Sequence, residues 1–182
     1  MNDVNNSLEN QFFSVSIKKL CVMYFFTFGM YVLVFFYKNW SLQKFLHKLK
    51  VLPAARSIFY IFFTHSLFAR IRAVAGDNDI SGASNFGILA TIFVLLNIVG
   101  SLISLVSQPQ ETLTSLDLIS VILVMLALLP LIIVQNIINK INQDNGNSNS
   151  RFTVYNWIFI VIGAILWLGL IASFFMPEQP IY

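Results

Sequence analysis

Four stretches of the sequence are apolar over the length that a helix needs to cross a membrane. A helix rises about 1.5 Å per residue, so a hydrocarbon core of about 30 Å requires about 20 residues. None of the four has an acidic or basic side chain in its interior. The pattern predicts an all-α, polytopic membrane protein with spans at residues 17–37, 86–106, 117–138 and 155–176.

The composition supports a membrane protein and excludes an ordinary soluble domain. Of the 182 residues, 57% are apolar and only 10% are charged, whereas about a quarter of a typical soluble domain is charged. So few charges could not cover a surface in water, but lipid solvates an apolar exterior. Cys21 is the single cysteine, so an internal disulfide is excluded. Its apolar neighbours favour a packing role.

Two segments flank the first predicted span and differ from it in character. Residues 1–16 are polar and predict a flexible tail, followed by a single membrane domain over residues 17–182. Residues 40–52, "WSLQKFLHKLKVL", place apolar side chains at helical spacing with basic ones between them. This pattern is typical of an amphipathic helix lying in the membrane interface. A helix packed on a neighbouring helix is the alternative.

Residues 56–75 are the ambiguous segment. The uninterrupted apolar core, residues 58–69, has 12 residues, which is short for a span and suits a re-entrant or interfacial helix. Arg56 and Arg70 flank that core, and long basic side chains can reach the headgroups from within a span. Length alone therefore leaves spanning, re-entrant and interfacial placements open.

The distribution of basic residues favours the four-span arrangement. If residues 56–75 do not span, one side holds nine of the eleven Lys and Arg residues: seven over residues 38–72, plus Lys140 and Arg151. Basic residues accumulate on the cytoplasmic side of membrane proteins. The bias predicts a multi-pass membrane protein with both termini outside the cytoplasm. Lys18 and Lys19 oppose this arrangement, because it places them outside.

Three groups of residues are candidates for interactions. The basic residues beside the spans predict contact with anionic lipid headgroups, without nucleic-acid binding. Small residues four apart let helices approach closely, and Asn97 is a polar residue inside a span. The candidate lipid contacts are Lys38, Lys44, Lys48, Lys50, Arg56, Arg70 and Arg72; the candidate packing residues are Gly100, Ser104, Gly169 and Ser173.

No pattern of catalytic or cofactor-binding residues is recognised. His47 and His65 are far apart and have no accompanying cysteine pair or HExxH motif, so we expect neither a metal site nor a cofactor. We expect a non-enzymatic membrane protein that acts through helix packing, a protein partner or homo-oligomer, or anionic lipids. A transporter or channel component, oligomeric, is the alternative, suggested by Asn97 and by a helix interruption at Pro130.

Two stretches resemble a family of small bacterial inner-membrane proteins. They are "TFGMYVLVFFYKNWSLQK", residues 27–44, and "LPAARSIFYIFFTHSLFARI", residues 52–71. The resemblance is to domain-of-unknown-function proteins with a TxGxY…WFYxxW first span, then a Pro-x-x-Arg step and a Phe-rich segment ending in Leu-Phe. Phe35 stands where a tryptophan is usual. The match covers about residues 15–72, implies a bacterial inner-membrane location and carries no assigned activity.

Overall fold

The structure, a computed structural model, describes residues 10–107, 115–144 and 149–175. Within these ranges the secondary structure is helical, which confirms the all-α class. The helices are α1 (Ile17–Phe26), α2 (Tyr31–His47), α3 (Pro53–Ile58), α4 (Tyr60–Asp77), α5 (Phe86–Ser107), α6 (Ser115–Leu126), α7 (Leu128–Ile141) and α8 (Val154–Phe175).

Three of the four predicted spans correspond to helices long and apolar enough to cross a membrane. They are α5, the continuous apolar stretch Ser115–Ile141 formed by α6 and α7, and α8 as far as Ser173. The α6–α7 stretch is interrupted at Ala127. Pro130 accounts for the interruption, because proline has no N–H to donate to the carbonyl four residues earlier.

The single helix predicted over residues 17–37 is not observed. The chain leaves α1 at Thr27 and reverses through Phe28 and Gly29, whose φ angles of 50° and 83° lie in the left-handed region. Phe13, which precedes α1, donates its N–H to Oδ1 of Asn39, which lies in α2 beyond the turn, at 3.1 Å. A straight helix would separate two residues 26 apart by about 39 Å. Helices α1 and α2 therefore form a hairpin, which we call the first hairpin.

The tip of the first hairpin lies at mid-depth among the long helices. Tyr24 donates its hydroxyl to the Val124 carbonyl at 2.8 Å, near the middle of Ser115–Ile141. On the other side, the backbone at Phe26 packs directly on Gly163, near the middle of α8. Residues 17–47 thus enter the bundle and return to the end at which they entered.

Helices α3 and α4 form a second hairpin beside the first. At its inner end the Tyr60 hydroxyl donates to Asn97 Oδ1 at 2.9 Å, about halfway along α5. One end of α4 is thus near mid-depth. Further along, the Phe68 ring lies 6.0 Å from the ring of Phe86, the first residue of α5. Helix α4 therefore runs antiparallel to α5, from the middle of the bundle outwards.

The separate amphipathic helix predicted over residues 40–52 is also different in the structure. Residues 40–47 continue α2 without a break. The helix ends where Lys48 adopts a left-handed conformation with φ 50°, and its N–H bonds back to the Lys44 carbonyl. The sequence becomes more polar at Trp40, which favoured a helix boundary there. The helical hydrogen bonding of the backbone nevertheless continues through Trp40 to His47.

The described part of the predicted flexible tail is a buried, extended segment. Phe12 and Val15 are fully buried, and side-chain amides donate to five consecutive backbone carbonyls of the segment. Backbone groups of residues 11–15 thus have hydrogen-bond partners from elsewhere in the chain, whereas the flexibility expected for residues 1–16 stays a prediction, and residues 1–9 lie outside the described chain. The pairs are Gln43 to Gln11, Asn142 to Phe12, Gln135 to Phe13, Asn149 to Ser14, and Asn139 to Val15.

Candidate anionic-surface site

All the basic residues belong to segments at one end of the bundle, which we call the basic end. Helix α5 begins there, α7 ends there and α8 begins there, and both hairpins open towards it. Two contacts define this end: Lys19 Nζ donates to the Arg151 carbonyl at 2.7 Å, and Gly82 lies against the Ile137 side chain. The eleven residues are the nine counted above together with Lys18 and Lys19.

The candidate lipid contacts divide into exposed and stacked side chains. Lys38, Lys44, Lys48, Lys50 and Arg72 are exposed along α2, the turn after it and α4. Exposed ammonium groups at a membrane interface attract anionic headgroups, with about 1 kcal/mol for each basic residue near the surface. These five side chains are available for such contacts; Arg56 and Arg70 are only partly exposed.

Lys19 has a different role that the sequence did not reveal. It is 4% exposed, and its ammonium donates to Asn149 Oδ1 and to the Arg151 carbonyl, both at 2.7 Å. Burial lowers the pKa of Lys19, because a charged group loses hydration when buried. Lys19 therefore anchors α1 to the segment before α8 and is not a surface cation.

Arg56 and Arg70 converge on one aromatic ring. The Arg56 guanidinium carbon lies 4.0 Å from the Trp40 ring centre and 4.8 Å from that of Phe63. The Arg70 guanidinium carbon lies 5.8 Å from the Trp40 ring centre. Trp40 itself is fully buried. Cation–π contacts of this kind are favourable by about 0.5–2 kcal/mol each. The pKa of Arg56 is lowered by burial and by the positive charge of Arg70.

Apolar side chains on the outer surface of α2 to α4 accompany the cations. Phe62 is 79% exposed and Phe45 is 67% exposed. Phe45, next to Lys44, is typical of a surface that lies in a membrane interface, whereas Phe62 lies two residues from the mid-depth Tyr60. Leu52, Ile58 and Phe59 share this exposure.

Asn97 forms a hydrogen bond between helices. Its amide nitrogen donates to the Phe93 carbonyl of its own helix, and its oxygen accepts from Tyr60. The residue is 5% exposed. Both ends of the amide are thus satisfied within the chain. These two hydrogen bonds explain why a polar residue is buried inside a span. The alternative of a transporter stays a prediction, and no contact of Asn97 in the described chain favours it.

Only one of the two predicted small-residue pairs lies at a helix contact in the described chain. A Cβ added to Gly100 would lie 3.3 Å from the Ser120 carbonyl of α6, whereas one added to Gly169 would meet nothing within 4 Å. Ser104 borders the same α5–α6 contact, beside a cavity of about 410 Å³. Ser173 is exposed. Contact of Gly169 and Ser173 with another molecule stays a prediction.

Gly163 is the close-packing glycine that the sequence interpretation missed. A Cβ placed on it would overlap the carbonyl oxygen of Phe26. One turn later, Trp167 stacks between Phe25 and Phe28, with ring centres at 4.5 and 4.6 Å. The available signal was a glycine and a tryptophan at i and i+4, which share one helix face.

Comparison with known proteins adds no family or function. No protein-family model, no curated protein and no solved structure matches the chain. The resemblance over residues 15–72 therefore stays a prediction.

Proposed function

We propose that the protein is a non-enzymatic, three-span membrane protein whose basic end binds anionic lipid at the cytoplasmic face of the bacterial inner membrane. The observation that carries this proposal is that all eleven Lys and Arg residues lie at one end of the bundle. Three long apolar helices support the membrane location, and the exposed lysines of α2 supply the attraction for anionic headgroups.

The proposed orientation follows from the first hairpin. Because residues 17–37 do not cross, Lys18 and Lys19 join the other nine basic residues, and the conflict in the four-span arrangement disappears. The positive-inside bias then places the basic end in the cytoplasm. In this three-span arrangement residues 10–19 are cytoplasmic, and the end of α8 lies outside. The proposal therefore replaces the expectation that both termini are outside.

Cysteine labelling distinguishes the two arrangements at Lys18. In a Cys21→Ser background, we expect Ser115→Cys to react with a membrane-impermeant maleimide in intact cells. We expect Lys18→Cys and Gln143→Cys to react only after the cells are opened. Gln143 is inside and Ser115 outside in both arrangements, so they serve as controls. Labelling of Lys18→Cys in intact cells would support four spans and contradict the hairpin topology.

If the exposed lysines of α2 and the turn after it bind anionic lipid, removing their charges should weaken that binding. We expect Lys44→Gln, Lys48→Gln and Lys50→Gln, combined, to reduce the enrichment of phosphatidylglycerol around the reconstituted protein. A loss of about 1 kcal/mol per lysine predicts a clear, salt-sensitive decrease. Lipid retained after nanodisc purification from mixed phosphatidylcholine–phosphatidylglycerol vesicles measures it. An unchanged lipid ratio would remove the main support for this function.

A further inference from the structure

We propose that Arg56 and Arg70 together bind one phosphate group above a floor formed by Trp40 and Phe63. The phosphate is that of a phosphomonoester, carried by a lipid headgroup or by a soluble molecule. The inference rests on the proposed function where the source is a lipid, because the site must then face anionic headgroups. It goes further by assigning a discrete site in addition to a general positive surface.

The two guanidinium groups lie close together without an acidic partner in the described chain. Both contact the Trp40 ring, at 4.0 and 5.8 Å. Within residues 10–107, 115–144 and 149–175, neither group has an ion pair or a hydrogen bond with another part of the chain. Each guanidinium carries five N–H donors. Two like charges and up to ten donors thus lie around one ring, close enough for the charge of Arg70 to lower the pKa of Arg56, and a bound anion would reduce their mutual repulsion.

The stacked geometry leaves the right atoms available for a phosphate. A guanidinium that stacks its face on an aromatic ring keeps its N–H groups around the edge of the plane. Phosphate oxygens accept pairs of such N–H groups in a bidentate arrangement. The Trp40 and Phe63 rings both contact the Arg56 guanidinium, which reduces the ordering needed on binding. A phosphomonoester offers one more terminal oxygen than a phosphodiester, so it can engage both forks.

One end of the site, at Arg70, lies at the depth of the headgroups. Phe68, two residues before Arg70, packs against Phe86, where α5 begins. Arg70 is therefore level with the start of a long apolar helix, which is where the hydrocarbon region ends. Trp40 comes from α2, Arg56 from α3, and Phe63 and Arg70 from α4. The site therefore exists only when the second hairpin is packed on α2.

Lipid enrichment around the full-length protein tests the proposal. The protein is reconstituted into nanodiscs from vesicles of phosphatidylcholine, phosphatidylglycerol and phosphatidic acid, with the two anionic lipids in equal amounts. We expect wild-type protein to enrich phosphatidic acid over phosphatidylglycerol. Arg56→Gln with Arg70→Gln should abolish that preference, by roughly tenfold if the paired contacts together contribute about 1.4 kcal/mol. Arg151→Gln, at an exposed arginine outside the candidate lipid contacts, is the matched control and should retain it.

A conservative pair of variants separates specific binding from charge. Arg56→Lys with Arg70→Lys keeps both charges but removes the bidentate forks. We expect it to retain phosphatidylglycerol enrichment and to lose the preference for phosphatidic acid. Retention of the full preference would overturn the proposal. Equal enrichment of the two anionic lipids by wild-type protein, with no effect of soluble glycerol phosphate, would also overturn it, even if the arginine variants fail to fold.

The source of the phosphate is decided by competition on the wild-type protein. Displacement of phosphatidic acid by millimolar glycerol phosphate identifies a site open to soluble phosphomonoesters, whereas no displacement identifies a lipid site. Either result upholds phosphate binding once the preference is present. Failure of the lysine triple variant to change phosphatidylglycerol enrichment would instead contradict the proposed function. The two hypotheses therefore fail in different variants.

Discussion

Gly163→Val is expected to lower the free energy of unfolding by roughly 3 kcal/mol, at the upper end of the cost of overfilling a well-packed site. Gly163 is where α8 touches the first hairpin, and an added Cβ would overlap the carbonyl oxygen of Phe26. The obstructing atom belongs to the backbone, so it cannot rotate away as a side chain could. The helices must separate, and the stacking of Trp167 on Phe25 and Phe28 is lost with them.

Gly169→Val in the same helix is the matched control. A Cβ added there meets nothing within 4 Å, and both substitutions carry the same change in helix propensity. The difference in unfolding free energy between them therefore isolates the contact with Phe26. Equilibrium unfolding in mixed micelles, followed by tryptophan fluorescence, measures both variants. Equal stability of the two would show that α8 does not dock on the hairpin in this way.

The docking of α8 explains why one contact has so large an expected effect. Helix α8 is largely exposed, with 6% of its most apolar stretch buried. Its contacts in the described chain lie chiefly with α1. Trp167 strengthens that contact by donating its indole N–H to the Phe25 carbonyl at 3.1 Å. Without a hydrophobic drive between helices in lipid, close packing of this kind determines helix association.

The three long helices could be predicted from the sequence because the bilayer itself sets their length. The expected spans 86–106 and 155–176 correspond to Phe86–Ser107 and Val154–Phe175. The third, expected at 117–138, extends over Ser115–Ile141. Apolar length and an absence of charge are sufficient signals for such helices, and no knowledge of tertiary contacts is needed.

The first hairpin could not be predicted from hydropathy, because two half-length helices and one full-length helix bury equally apolar residues. The deciding residue is Gly29, which lies near the middle of the predicted span 17–37. In the structure it has a φ of 83°, which glycine adopts readily. A second signal was overlooked: the pairs Asn39–Gln43 and Gln135–Asn139 each place two amides on one helix face at i and i+4.

Because those amides bind the backbone of residues 10–16, we infer that this segment holds the first hairpin closed. Asn39 and Gln43 come from α2, Gln135 and Asn139 come from α7, and Asn142 directly follows α7. The segment bridges them with its backbone. Its carbonyls accept from both helices, and the buried Phe12 packs among the core residues between them. The hairpin is thus held closed at its open end by residues 10–16, which belong to neither helix.

Phe12→Ala is accordingly expected to destabilise the protein by about 3–5 kcal/mol, the usual cost of removing a fully buried phenylalanine. Phe45→Ala, at a side chain that is 67% exposed, is the matched control and should change stability little. Equilibrium unfolding in the same mixed micelles measures both. Similar costs for the two variants would contradict the burial of the segment.

A second comparison separates the amide contacts from the burial of Phe12. Asn139→Leu removes the donor to the Val15 carbonyl, whereas Asn136→Leu, at an exposed position of the same helix, does not. An unpaired buried polar group costs about 1–3 kcal/mol, so Asn139→Leu should be the more destabilising. If the segment fastens the hairpin, Phe12→Ala and Asn139→Leu should also couple, and their combined cost should depart from the sum. Strict additivity would mean that Phe12 and Asn139 stabilise the protein independently, and would contradict the role of the segment in fastening the hairpin.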